Sequence, residues 1–312
     1  MKKSTRSAYG ATLVELLEAG CDIAAVDADL SGSTTTAKLA AVAPGRHVNV
    51  GIAEQNMIGV AAGLALAGMT VYTGSFAVFG TGRVYDQIRN TVCYAGLNVK
   101  IAPTHAGISV GADGGSHQMV EDLALMRVLP GMRVLVPADY ESTRRALTLA
   151  CQVPGPVYVR MGRVDLPLLY DEASAARLNI GSACVLREGS DVTLVACGAE
   201  VAQALVAAER LEAEEGVSAE VIDAFSVKPL DGPLILASAR KTGAVVTCEE
   251  HSVIGGLGSA VAELLVEQGL ELLRKPLARV GVQDCFGTSG DLEELFALYR
   301  LDAQAIIDAV VK

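Results

Sequence analysis

The sequence predicts an α/β protein of two domains, each built on a mainly parallel sheet. Three observations carry that reading. Short apolar runs alternate with helical-period segments from end to end, the pattern of successive βα units. The chain has 312 residues, and single hydrophobic cores usually stop growing above ~250 residues. Hydrophobic residues make up 51% of it, Gly is abundant at 32 residues and Trp is absent, a composition suited to tightly packed cores with extensive subunit contacts.

Taken in order, the first domain spans 1–165. Strands are predicted over 22 to 28 (DIAAVDA), 69 to 74 (MTVYTG), 97 to 103 (LNVKIAP), 132 to 137 (MRVLVP) and 155 to 160 (GPVYVR), with helices between them. A short run, HVNV, leads through Gly51 into a helix near Glu54. Residues 166–190 lose the rhythm, mixing charges with turn formers, and read as a linker with a short lead-in strand. The second domain, 191–312, resumes with strands over 191 to 198, 217 to 224, 243 to 250 and 276 to 282, enough for a smaller open sheet.

A formal net charge of −11 argues against nucleic acid or an anionic membrane as partner, since both select basic surfaces. The seven cysteines are scattered, odd in number and without a C-x-x-C pair. They read as core thiols in a reducing cytosol, neither a disulfide framework nor a zinc site. The start, MKKSTRSAYG, is basic with no apolar run behind it, so no signal peptide is expected, and every apolar stretch is too short to span a bilayer.

Five stretches are candidates for chemistry. Glu54 is the one acid in NVGIAEQNMIGVAAGLALAG, residues 49 to 68. Its position near a helix start suits a cap that meets the helix dipole. The small residues behind it, among them Ala61, Ala62, Gly63 and Gly68, suit close packing against another backbone, and an acid held at such a dry interface is poised to handle protons. The glycine-rich segment THAGISVGADGGSHQ, 104 to 118, follows a strand and holds His105, Asp113 and His117; it reads either as a plain surface loop or as a source of acid/base and polar substrate contacts. Phe76 and Phe79 stand at helical spacing after a strand, as core aromatics or as a ligand-facing pair. Arg160 and Arg163 close another strand, suited to a phosphate or carboxylate or to surface ion pairs. Gly256 and Gly258 make an incomplete G-x-G, read as a tight entry into a helix, with His251 structural.

Together, TRS at 5 to 7, DADLSGS at 27 to 33, GIAEQN at 51 to 56, GSFAVF at 74 to 79, THAGISVGADGGSHQ at 104 to 118 and RVDLP at 163 to 167 occur in the order found in transketolases. The chain resembles the thiamine-diphosphate pyrimidine-binding domain and the C-terminal domain of that family over essentially its whole length. The resemblance implies that Glu54 hydrogen-bonds the aminopyrimidine ring of thiamine diphosphate and shifts a proton on it, that Phe76 and Phe79 flank that ring, and that Ile52, Leu30 and Asp29 lie against the cofactor. It implies His117 near the substrate carbonyl, Asp113 on a sugar hydroxyl, and His105, Arg6, Ser33 and Arg163 around a sugar phosphate. The implied activity is transfer of a two-carbon ketol unit from a ketose phosphate to an aldose phosphate, in cytoplasmic pentose phosphate metabolism.

The family's G-D-G motif and downstream Asn, which hold a divalent cation and the diphosphate, have no counterpart here; GADGG at 111 to 115 lies in the His segment. No metal site is expected in this chain. The resemblance is therefore to the C-terminal subunit of a split transketolase, with Mg2+ or Ca2+ on a separate N-terminal subunit and an α2β2 assembly. Competing readings are half of a 1-deoxyxylulose-5-phosphate synthase, where Asn56 and His105 depart from the usual pattern, and a 2-oxoacid dehydrogenase E1 β subunit. A regulatory subunit that keeps the fold without turnover and a dinucleotide-binding oxidoreductase complete the alternatives.

Overall fold

Ile23–Asp27 and Thr70–Gly74 are interior strands of the first sheet, their side chains buried on both faces almost throughout. The computed structural model describes residues 1–311. Its larger sheet has seven strands in the order Ser226–Lys228, Arg133–Leu135, Val157–Val159, Val99–Ile101, Thr70–Gly74, Ile23–Asp27 and His47–Asn49. All neighbours are parallel except Ser226–Lys228, which pairs antiparallel with Arg133–Leu135. The five apolar runs expected to make one sheet are all in it. HVNV supplies one edge, and the other edge comes from the second half of the chain, a pairing that local periodicity does not reveal.

The second sheet has five strands, ordered Ala278–Val282, Val245–Ser252, Val192–Ala196, Ala219–Asp223 and Cys184–Arg187. Only Cys184–Arg187, the expected lead-in strand, runs antiparallel. A small antiparallel pair joins Lys2–Ser4 to Asp165–Pro167. That pair brings residue 6 beside residue 163 in the fold.

Helix Glu54–Leu66 packs Met57, Ile58, Ala61 and Ala62 inward. On its outward side Gly59 and Gly63 have open space where a side chain would stand, and Leu66 is exposed. The close backbone partner that its small residues suggest is absent from this chain's own described residues. Among those residues no helix is long and apolar enough to cross a membrane.

Candidate active site

Ile23–Asp27 and Thr70–Gly74 are neighbours, yet the next strand after the first lies on one flank, at His47–Asn49, and the next after the second lies on the other, at Val99–Ile101. That reversal marks the position beyond their carboxyl ends where an open parallel sheet usually takes its ligand. Asp27 closes its strand by bending the chain back. Its carboxylate accepts the Leu30 N–H at 2.7 Å and the hydroxyls of Thr34 and Thr36 at 3.1 and 2.7 Å; burial still pushes this carboxyl up. The turn leaves Asp29 exposed at φ 62°. Asp29 is tied to Asn49 through its own N–H at 3.1 Å, and Asn49 Oδ1 also accepts the Gly51 N–H at 2.9 Å. The loops carrying Leu30 and Ile52 are thereby joined, with Leu30 half-buried and Ile52 78% exposed.

Glu54 is 4% exposed at the first turn of its helix, and no side-chain hydrogen bond caps that helix. Glu54 is the acid of the helix's first turn, as the dipole reading expected, but its carboxylate is turned to Arg83, whose Nη1 donates to Oε1 at 2.8 Å. Arg83 also lies over the Phe79 ring, 4.4 Å from its centroid. Phe79 stacks on Phe76 at 6.2 Å, Phe76 on His105 at 3.7 Å, and His117 meets Phe79 edge-on at 5.5 Å. Four rings and one acid from three separate stretches of sequence thus form a continuous cluster. The helical segment bearing Phe79 is wound as π-helix over Val78–Gly82, a widened turn common at functional sites.

His105 is 2% exposed and held at φ 61°, its Nδ1 2.7 Å from the Thr104 hydroxyl. Burial, reinforced by Arg6, Arg163 and His117, lowers its pKa to about 3, so the ring is neutral at physiological pH. Arg6 reaches the Ser33 carbonyl at 3.3 Å, and Arg163 donates to the Val110 carbonyl at 2.5 Å. Thr5 and Gly162 exchange hydrogen bonds between the same two segments. Asp113 is exposed on the loop. Among the described residues no hydrogen bond or ring contact joins Asp29, Leu30, Ile52 or Asp113 to the aromatic cluster.

Several readings of the sequence need amendment. Arg160 is buried and locked to Asp122 by two bonds, 2.7 and 3.1 Å, so it is not available to a phosphate. His251 is structural as expected: Nε2 accepts the Leu123 N–H at 3.1 Å, and burial lowers its pKa to about 4. The G-x-G start of helix Leu257–Gln268 is filled from within, because the buried Glu249 carboxylate accepts the Leu257 and Gly258 N–H groups at 2.6 and 2.8 Å. That leaves no place for a pyrophosphate. Arg83 escaped the sequence reading although it stands four residues after Phe79, one helical turn on. Asp27 lay inside a quoted motif without being singled out.

Residues 1–167 match the model of the transketolase pyrimidine-binding domain, and residues 181–306 match that of the transketolase C-terminal domain. The chain is 47% identical over 310 residues to a putative transketolase C-terminal section of Methanocaldococcus jannaschii, covering 99% of this chain and 96% of that protein. It is 45% identical over 304 residues to a 6-deoxy-6-sulfo-D-fructose transketolase subunit of Clostridium sp., covering 97% and 92%. A solved split-gene transketolase, described as an inactive β4 tetramer, superposes with a TM-score of 0.89 at 49% identity, covering 100% of this chain and 98% of that one. Matched along almost its full length by both of its domains, the chain belongs to the transketolase family.

Proposed function

We propose that this chain is the C-terminal subunit of a two-chain transketolase, active only with a separate N-terminal subunit, that passes a ketol unit from a ketose phosphate to an aldose phosphate. The observation that carries the reading is the Glu54–Arg83–Phe79–Phe76–His105–His117 cluster beyond the carboxyl ends of parallel strands. Its chemistry suits one end of thiamine diphosphate: aromatic faces for a flat heterocycle and one shielded carboxylate to hold a proton on it. It does not suit the other end. We assign Mg2+ or Ca2+ and the diphosphate to the partner because the family's G-D-G motif and downstream Asn have no counterpart in this sequence.

When bound, the cofactor supplies carbanion stabilisation at the broken carbon–carbon bond. The chain's own residues do the rest. Glu54 would turn from Arg83 to the pyrimidine end and hold a proton at its carboxylate, Phe76 and Phe79 would flank the ring, and Ile52, Leu30 and Asp29 would line it from the neighbouring loops. His117 orients the substrate carbonyl and Asp113 a sugar hydroxyl. Arg6, Arg163 and Ser33 bind the phosphate, and neutral His105 donates one N–H to it while Thr104 holds the other ring nitrogen. Exposed Ile52 and the open face of helix Glu54–Leu66 support burial by other subunits in an α2β2 assembly. We divide the chain at 1–165, 166–190 and 191–312, and assign it to pentose phosphate metabolism in the cytoplasm.

Reconstitution with the complementary N-terminal subunit tests the reading. The pair is expected to convert xylulose 5-phosphate and ribose 5-phosphate. Turnover of pyruvate with glyceraldehyde 3-phosphate in their place would assign the pair to the synthase class instead.

A further inference from the structure

A glycine-rich run such as 105 to 118 ordinarily makes a loop that moves freely at the surface. Here it is pinned from two sides, and both sides belong to the second half of the chain. The neck is closed by the Gly107 N–H donating to the Met119 carbonyl at 2.8 Å. Beneath it runs the end of strand Val245–Ser252. The buried carboxylate of Glu250 accepts the Ser109 N–H, and the Ser252 N–H donates to the Val120 carbonyl at 2.7 Å. Arg160, already fixed by Asp122, spans the seam by donating to the carbonyls of Glu250 at 2.9 Å and Met119 at 3.4 Å. Gly107 has φ 83°, and a side chain there would run into the Glu250 carboxyl.

The outer clamp is residues 287 to 290. Gln118 Nε2 donates to the carbonyls of both Ile108 and Thr288 at 3.0 Å. Gly114 lies against Ser289, Gly115 against Gly287, and Gly287 against Gln118, each so closely that an added Cβ would overlap its neighbour. At Gly115 the neighbour is backbone, the Gly287 carbonyl; at Gly114 and Gly287 it is the side chain of Ser289 and of Gln118.

We propose that the C-terminal domain serves the active site by fixing this loop, and that Glu250 is its positioning residue, setting through the Ser109 amide where His105, Asp113 and His117 stand. The consequence for substrate rests on the transketolase reading; the clamp itself does not. The buried Glu250 side chain supplies the oxygen that accepts the Ser109 N–H, leaving that amide unpaired when the oxygen is removed, and a displacement of about 1 Å can cost about 100-fold in rate.

The test pairs kinetics on the reconstituted two-subunit enzyme with hydrogen exchange on this chain. Glu250→Ala is expected to lower kcat/KM for the sugar phosphate by about 100-fold, to leave thiamine diphosphate affinity intact, and to speed exchange over 107 to 118 but not over Thr70–Gly74. Glu250→Gln keeps an oxygen acceptor and is expected to restore most of both. Gly287→Ala, acting from the other clamp, is expected to loosen the same segment if the alanine variant at 250 does not fold. Unchanged exchange and kinetics would overturn the proposal, as would cofactor affinity falling in step with a general rise in exchange. Should the intact pair transfer no ketol unit while the loop still loosens, the transketolase reading fails and the clamp stands.

Discussion

Glu54 is held by Arg83, and the two differ in their access to water: the acid is 4% exposed while the Arg83 side chain is 48% exposed. Arg83 reaches water while it holds the acid, so a ligand that brings its own donor can take the carboxylate over and leave the guanidinium solvated. Glu54→Ala is expected to cut turnover of the reconstituted enzyme by at least about 100-fold, the usual share of a general acid or base, with the fold unchanged by circular dichroism. Arg83→Ala is expected to stay within about tenfold of the wild type. A larger loss at Arg83 than at Glu54 would reverse their roles. At His105, the lowered pKa of about 3 predicts ring NMR signals that do not shift between pH 5 and 8; a transition near 6.5 would contradict the neutral ring.

At the scale of elements, the buried Arg160–Asp122 pair links Val157–Val159, helix Asp122–Arg127 and the end of Val245–Ser252. Arg160 holds the fully buried Asp122 carboxyl below its ordinary value despite desolvation. Arg160→Met leaves that charge unpaired and is expected to cost about 3–5 kcal/mol in denaturant unfolding; a loss below about 1 kcal/mol would mean water reaches the site. The long apolar runs of both sheets were legible because hydrophobic periodicity is local. The edge strand Ser226–Lys228 was not, since three residues show no period and its partner is about ninety residues away. The same reason separates the site residues. Glu54, Phe76, Phe79, His105 and His117 sit in quoted motifs, whereas Glu250 contacts Ser109 across 141 residues of sequence.

For the whole molecule, buried titratable groups store opposing proton linkages. Burial raises Asp223 and Glu249 to about 7. For each, stability is fully present below the ordinary carboxylate pKa and is lost as pH rises toward 7. His105 and His251, lowered to about 3 and 4, act the other way: the unfolded chain takes up their protons below 6.5, so stability is lost as pH falls through that window. Glu249→Gln is therefore expected to raise the melting temperature, relative to the wild type, progressively as pH rises from 5 to 7; parallel curves would contradict the assignment.

The division of labour between two polypeptides is tested most directly by assaying ketol transfer, with thiamine diphosphate and Mg2+ present, for this chain alone and mixed with the N-terminal subunit. No turnover is expected from the chain alone and full turnover from the mixture. Turnover by the isolated chain, equal to that of the mixture, would contradict that division.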